Sequence, residues 1–298
     1  MALSNESYAP APSVWEPDSI GEAWRLQQML GLGSKFISGG TLLRTQWESG
    51  ISEMPHHLIS VAAIAEMSAI QIKADEAVIG AAVSLSECAK HPHIQAEFAH
   101  LVQAIRSIAA PSIRNMATLG GNIISAVGDS IPALLVSGAV LNWYGGSSRQ
   151  TELLQDWVYA ISQPGYQEKR LLISVSLPQM SSERLGRYVS FYQKIGRREA
   201  FTPSIVTTAF QGWIHADGGL ADFHIAAGGG SSYCLRLTQS EALLNGSRLT
   251  PNLLQQLQQA VQEQMIAYSD PFASAAYRKK TAANLISSGL WSELAASS

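Results

Sequence analysis

Cysteine is nearly missing from this chain: Cys88 and Cys234 are the only two among 298 residues. Two thiolates cannot hold an iron–sulfur cluster, which takes four ligands. Nor do they build a disulfide framework, which fits a reducing compartment. Charge is also sparse. Charged residues make up 14%, and 20 basic against 23 acidic side chains leave a net charge of −3. No basic excess exists to hold a phosphate backbone, so nucleic acid is not the expected partner. No apolar run approaches the roughly 18 residues of a membrane span. Positions 1–17 are polar and carry no apolar stretch of a secretory signal. The expected location is the cytoplasm. Familiar nucleotide motifs are missing too. Gly31-Leu32-Gly33-Ser34-Lys35-Phe36 lacks the third glycine of the Rossmann fingerprint and precedes a strand rather than following one. No Gly-Lys-Ser/Thr P-loop occurs.

What is present is a globular composition, 46% hydrophobic, in a chain long enough for about two domains. Positions 1–17, with Pro10, Pro12 and Pro17, read as a loose arm. Ser19-Ile20-Gly21-Glu22 is a capping box opening an amphipathic helix that Gly31 or Gly33 ends. Strands are expected over 35–38 and 58–63, and two more around Ala74-Asp75-Glu76. Helices are expected over 84–101 and 102–110. A small-residue helix passing into a strand fills 131–144, and 171–177 is a strand stopped by Pro178. The pattern shifts near residue 180. Four strands of one meander follow, over 188–195, 204–210, 212–215 and 220–227. Two helices close the chain. Thr250 caps the first, with Pro251 at N1 and Leu254, Leu257, Val261 and Met265 on one face. The second covers 274–288 and stops near Gly289. This is an α+β plan.

The informative feature is a pair of glycine turns: Lys35-Phe36-Ile37-Ser38-Gly39-Gly40-Thr41 and Arg114-Asn115-Met116-Ala117-Thr118-Leu119-Gly120-Gly121-Asn122. Adjacent glycines let backbone N–H groups converge on an anion with no Cβ in the way. Thr41, Thr118 and Asn122 add side-chain donors. Each turn alone also reads as an ordinary turn.

Together with their flanks, the turns resemble the FAD-binding medium subunit of the molybdenum hydroxylases, the family of xanthine dehydrogenase and carbon monoxide dehydrogenase. Between the turns, Ile79-Gly80-Ala81-Ala82-Val83-Ser84-Leu85-Ser86-Glu87 matches the family's Ile-Gly-Ala-x-x-x-Leu-x-Glu. Further on, Phe191-Tyr192-Gln193-Lys194-Ile195-Gly196-Arg197-Arg198 is similar to its aromatic-x-Lys-x-x-x-Arg segment. So are Ala227-Gly228-Gly229-Gly230, Glu241-Ala242-Leu243-Leu244-Asn245-Gly246 and Asp270-Pro271 through Tyr277-Arg278-Lys279 in its C-terminal part. The resemblance runs in order over about residues 18–292. Three departures stand out. Leu42 replaces an Asp, the 122–129 loop is short, and Thr202 stands where an acidic residue is common.

The resemblance implies a two-subdomain FAD-binding fold of the vanillyl-alcohol-oxidase (PCMH) type over 18–180. A C-terminal α/β domain of the CO dehydrogenase flavoprotein type, with a small antiparallel sheet and helices, would follow over 181–298. It implies that Lys35, Ile37, Ser38, Gly39, Gly40, Thr41 and Leu42 hold the FAD pyrophosphate from one side. Thr118, Gly121 and Asn122 would hold it from the other, and Asp129 would take the FAD hydroxyls. Ile108 would lie over the isoalloxazine, and Leu172 would approach it through its main chain. Lys194 would stabilise negative charge on the flavin, with Tyr192 on the same strand face. Lys194 alone also reads as a surface lysine on an edge strand, Tyr192 and Ile108 as packing residues, and Asp129 as a solvated loop acid. Arg197 and Arg198 read as a solvated pair or as a site for a phosphate or a partner carboxylate.

No metal site is expected. His56-His57 and His91-Pro92-His93 lack a third ligand at helpful spacing. The resemblance implies FAD as the redox centre, and two cysteines supply no iron–sulfur cluster beside it. The resemblance implies that the 2Fe-2S clusters and molybdopterin belong to partner subunits, and that electrons pass on to NAD+ or another acceptor. The expected role is electron transfer in a heteromeric complex of xanthine dehydrogenase type, with purine catabolism as its setting. Two other readings stand beside it: a self-contained FAD-dependent oxidoreductase, and a non-catalytic assembly module that has lost FAD.

Overall fold

The structure, a computed structural model, describes residues 11–179, 186–198, 203–230 and 232–295. Its first unit runs through β1 (Ser13–Trp15), α1 (Ile20–Leu30), β2 (Ser34–Ile37), α2 (Thr41–Glu48) and β3 (His57–Ser60). The three strands form a parallel sheet in the order β1-β3-β2. Residues 13–15 are therefore not a loose arm. Ser13 N–H donates to His56 O at 2.9 Å, and Trp15 Nε1 donates to His57 Nδ1 at 3.4 Å. An edge strand tolerates a flanking proline such as Pro12, whose missing N–H breaks no central ladder. At the start of α1, Ser19 Oγ accepts from Glu22 N–H, while the Glu22 carboxylate reaches Asp18 N–H rather than Ser19. Gly31 ends the helix with φ of 61°. Helix α2 goes unread in the sequence because it has no side-chain cap; Gly40, with φ of 64°, opens it.

The second unit holds β4 (Ile70–Ile72), β5 (Glu76–Gly80), α3 (Leu85–Lys90), α4 (Pro92–Glu97), α5 (Ala99–Arg106), α6 (Pro111–Arg114), α7 (Leu119–Ile124), α8 (Ile131–Val136), β6 (Val140–Tyr144), β7 (Arg149–Leu153), α9 (Leu154–Ile161) and β8 (Leu171–Pro178). Its strands form an antiparallel sheet ordered β4-β5-β8-β6-β7. β8 is buried over residues 171–177 because it lies mid-sheet and is covered on both faces. The helical stretch 84–110 is cut into three short helices rather than two. Pro92 cannot donate to a preceding turn and restarts the chain at N1 of α4.

The third unit holds β9 (Arg187–Gly196), β10 (Ser204–Ile214), β11 (Leu220–Gly229), β12 (Ser232–Arg236), α10 (Thr238–Leu244), α11 (Pro251–Gln264) and α12 (Ala275–Ala295). The four strands are ordered β12-β11-β10-β9 and pair antiparallel. Two expected strands, 204–210 and 212–215, are one strand. Gly212 marks a bulge rather than a break, because the Phe223 ring occupies the space a Cβ would need. Gly289 likewise does not stop α12. It lets the helix press onto the stacked rings of Phe191 and Phe210, whose centroids are 4.9 Å apart. Helix α11 follows the expectation, with Thr250 Oγ1 accepting from Leu253 N–H and Leu257, Val261 and Met265 buried.

One hydrophobic core fills the first two units and takes in Tyr192, Ala209, Ala226 and Cys234 from the four-stranded sheet. A second core lies between that sheet and α10, α11 and α12. The sheet is thus sandwiched, and its β9 residues reach into the first part of the chain. The expected two-subdomain α+β plan with a C-terminal sheet-and-helix domain is what the chain adopts. The expected boundary at residue 180, and Thr202, lie outside the described residues.

Candidate functional site

The two glycine turns, some 80 positions apart in sequence, touch. A Cβ on Gly39 would collide with Met116 O and crowd Ala117, so only glycine permits this approach. The turns differ in what they offer. The first hydrogen bond of α2 is Arg44 N–H to Gly40 O at 2.9 Å. The N–H groups of Thr41, Leu42 and Leu43 therefore stand ahead of the helix ladder. Lys35 and Ile37 alternate with inward Phe36 on β2, and Lys35 is exposed.

The second turn is not the open cluster of backbone donors expected. It folds into α7 with Thr118 as its cap. Leu119 N–H donates to Val83 O and Gly120 N–H to Ala81 O, each at 3.0 Å. Gly121 N–H donates to Thr118 Oγ1 at 3.2 Å. What this turn presents instead is side chains and the exposed face of Gly121. Asn122 Oδ1 accepts from Ser130 N–H at 3.2 Å and Ser130 Oγ at 2.5 Å, which leaves its NH2 as the outward donor. The short 122–129 loop closes on Asn122 through Gly128, where a Cβ would clash with both Asn122 oxygens.

Ser130 leads directly to Asp129 and a cavity of about 390 Å³ lined by Ile108, Ala109, Ala110, Ile113, Asp129, Lys194 and Pro203. Asp129 and Lys194 are not solvated. Lys194 Nζ donates to Asp129 Oδ2 at 2.6 Å and to Ser107 O at 3.1 Å, with side chains only 9% and 14% exposed for Lys194 and Asp129. Although β9 is a sheet edge, α5 packs on it and encloses this lysine. Tyr192 is not on the cavity wall. Its ring packs in the first core, 7% exposed, and its hydroxyl meets Ser107 Oγ at 3.3 Å. Burial, with Asp129 adding to it, raises the phenol well above its usual range. The Tyr192 phenol is thus buried beside the 107–110 loop, with its hydroxyl on Ser107.

Leu172 sits buried in β8 opposite Trp143, and Leu42 is exposed on the first turn of α2. Arg197 is not free in solvent, because its guanidinium lies 4.2 Å over the Phe272 ring. The two thiols are buried, and burial pushes both up, Cys88 to about 12. Among the described residues no three His, Cys, Asp or Glu side chains gather as a metal would need, and no helix is long and apolar enough to cross a membrane. A second cleft, of about 370 Å³, opens beside Ser68, Glu87, Lys90 and His91 and includes no turn residue.

Sequence reasoning left Ser107 and Arg114 without roles. Arg114 Nη1 donates to Ile108 O at 2.7 Å and to Ala109 O at 2.6 Å. Its place at the head of the second turn was the one available signal.

Comparison with known proteins adds the family. Residues 7–180 match the model described as FAD binding domain in molybdopterin dehydrogenase, and 190–291 match the CO dehydrogenase flavoprotein C-terminal domain. The chain is 28% identical over 182 residues to the carbon monoxide dehydrogenase medium chain of Hydrogenophaga pseudoflava, covering 60% of this chain and 63% of that one. That match spans less than two thirds of the relative's length. It is 25% identical over 279 residues to the nicotine 6-hydroxylase medium subunit of Paenarthrobacter nicotinovorans, covering 93% and 95%. A solved carbon monoxide dehydrogenase from Hydrogenophaga pseudoflava, lacking the Mo-pyranopterin moiety of its cofactor, superposes with a TM-score of 0.87 at 23% identity, over 96% of this chain and 98% of that one. This last likeness shows the fold.

Proposed function

Because the chain belongs to the family of the FAD binding domain in molybdopterin dehydrogenase, we propose that it is the FAD-carrying medium subunit of a molybdenum hydroxylase. The observation that carries this reading is the contact between the two glycine turns, continued through Asn122 and Ser130 to the cavity of Asp129 and Lys194. The match over 93% of this chain and 95% of a nicotine 6-hydroxylase medium subunit supports a chain that works with partners.

The residues fit FAD. The leading N–H groups of α2 suit a pyrophosphate, with Lys35 and residues 37–42 around it. The Thr118 hydroxyl, Gly121 and the Asn122 amide stand across from them. A cavity of about 390 Å³ takes a ring system. When bound, FAD supplies the redox chemistry, accepting electrons and releasing them singly or as a hydride.

The chain's own residues bind, orient and tune. Lys194 holds a positive charge at the cavity edge, where it favours negative charge on a bound ring. Asp129 fixes that ammonium and has its second oxygen for a ligand hydroxyl. Ile108, Ala109, Ala110 and Ile113 keep water from one side of the cavity. Leu172 presents main chain from the central strand. Electrons would arrive from a 2Fe-2S subunit fed by a molybdopterin subunit and leave to NAD+, as in xanthine dehydrogenase, or to another acceptor.

The test is turnover with and without partners. The purified chain should carry FAD yet turn over little until iron–sulfur and molybdopterin subunits are added. Full turnover of a small substrate by the chain alone would make it a self-contained oxidoreductase. A chain that stays colourless after excess FAD would be an assembly module.

A further inference from the structure

We infer that Arg114 is a positioning residue for the cavity wall, acting on the 107–110 loop; this rests on the cavity being the flavin-ring site. Three consecutive carbonyls of that loop are each held by a cation. Lys194 takes Ser107 O at 3.1 Å. Arg114 takes Ile108 O at 2.7 Å and Ala109 O at 2.6 Å through one nitrogen, Nη1. The loop is strained where Arg114 grips it: Ala109 has φ of 41°, a left-handed conformation that a non-glycine residue rarely adopts. Ile108, Ala109 and Ala110 all line the cavity.

The geometry explains why an arginine stands here. Arg114 N–H closes α6 onto Ala110 O at 3.0 Å. The side chain then folds back over its own short helix to the two preceding carbonyls. The two N–H bonds of Nη1 are fixed in the guanidinium plane, one for each carbonyl, whereas an ammonium is a point charge on a flexible stem. Turning both carbonyls toward Arg114 leaves the Ile108 side chain on the cavity side. Released from Arg114, Ala109 relaxes out of its left-handed conformation and Ile108 leaves the wall.

The experiment compares the wild-type chain with Arg114→Met, Arg114→Lys and the double variant Arg114→Met/Ala109→Gly. Amide hydrogen exchange is read on the flavin-free chain, and FAD affinity and visible circular dichroism on the loaded chain. Arg114→Met should speed exchange at 107–110 alone, change the visible dichroism of bound flavin and weaken FAD binding by about ten- to a hundredfold, because binding must then order the loop. Arg114→Lys should fall between. Ala109→Gly should restore part of the affinity, because glycine holds a positive φ without strain. Wild-type affinity and dichroism in Arg114→Met would overturn the inference. So would faster exchange throughout the domain, or no rescue by glycine. A wild-type chain that takes no flavin contradicts the proposed function instead, and the exchange comparison still decides the role of Arg114.

Discussion

Lys194 and Asp129 form an ion pair between β9 and the loop before α8, and most of both side chains is withdrawn from water. Removing one partner strands the other charge, which costs more than the pair contributes. Lys194→Met should therefore destabilise the chain more than Lys194→Met/Asp129→Asn does. A double-mutant cycle in urea should give a coupling of about 1–3 kcal/mol; additive single effects would mean the pair is independent. His100 supplies a pH dependence. Its Nε2 lies 2.7 Å from Ser137 Oγ, and that hydroxyl already donates to Ala133 O at 2.9 Å, so the ring donates through Nε2–H, while its buried Nδ1 offers a second proton no partner. Burial lowers its pKa from 6.5 to about 4. A folded pKa below the unfolded one gives stability that is complete above pH 6.5 and lost as pH falls toward 4. Thermal unfolding of wild type and His100→Asn over that window should show the variant with the flatter curve. Neither residue's partner was legible in the sequence, because Asp129 and Lys194 lie 65 positions apart and no local pattern joins them. Lys194 itself was legible, through the segment around it.

At the scale of elements, glycine carries two opposite meanings that sequence alone does not separate. Gly289 reads as a stop and Gly212 as the start of a separate strand, yet both lie inside elements where an aromatic ring needs the room. The ring comes from another strand, so the signal is tertiary. Gly31 and Gly39, by contrast, were read correctly as turn glycines, because a positive φ or a close backbone contact falls at an element's end. Substitution separates the two meanings. Gly289→Ala puts a Cβ 2.8 Å from Phe191 Cε2 and 2.9 Å from Phe210 Cε1. The overpacking should cost about 1–3 kcal/mol, more than the better helix propensity returns. Gly21→Ala, in α1 with nothing within 4 Å of the new Cβ, should stabilise by about 0.5–1 kcal/mol. Thermal melts of the two variants should move in opposite directions.

On the scale of the whole molecule, the four-stranded sheet belongs to both cores, so the C-terminal domain supports the cavity instead of trailing behind it. The sheet and the two-subdomain plan were legible because hydrophobic alternation and ordered motifs span the chain. The closing of the second turn into α7 was not, since its donors are consumed by Ala81 and Val83 from a separate segment. A ligand that binds only the folded chain adds about 2.7 kcal/mol at a hundredfold excess over its Kd. FAD should accordingly raise Tm, and AMP, which lacks the flavin ring, should raise it less. The most direct measurement is an equilibrium titration of FAD into the flavin-free chain and into Gly39→Ala, with circular dichroism to show that both remain folded. The account predicts one saturable site per wild-type chain, with a flavin absorption band, and at least about tenfold weaker binding in the variant, whose Cβ forces the two turns apart. A wild-type chain without a flavin band, or a folded Gly39→Ala chain that binds equally well, would contradict it.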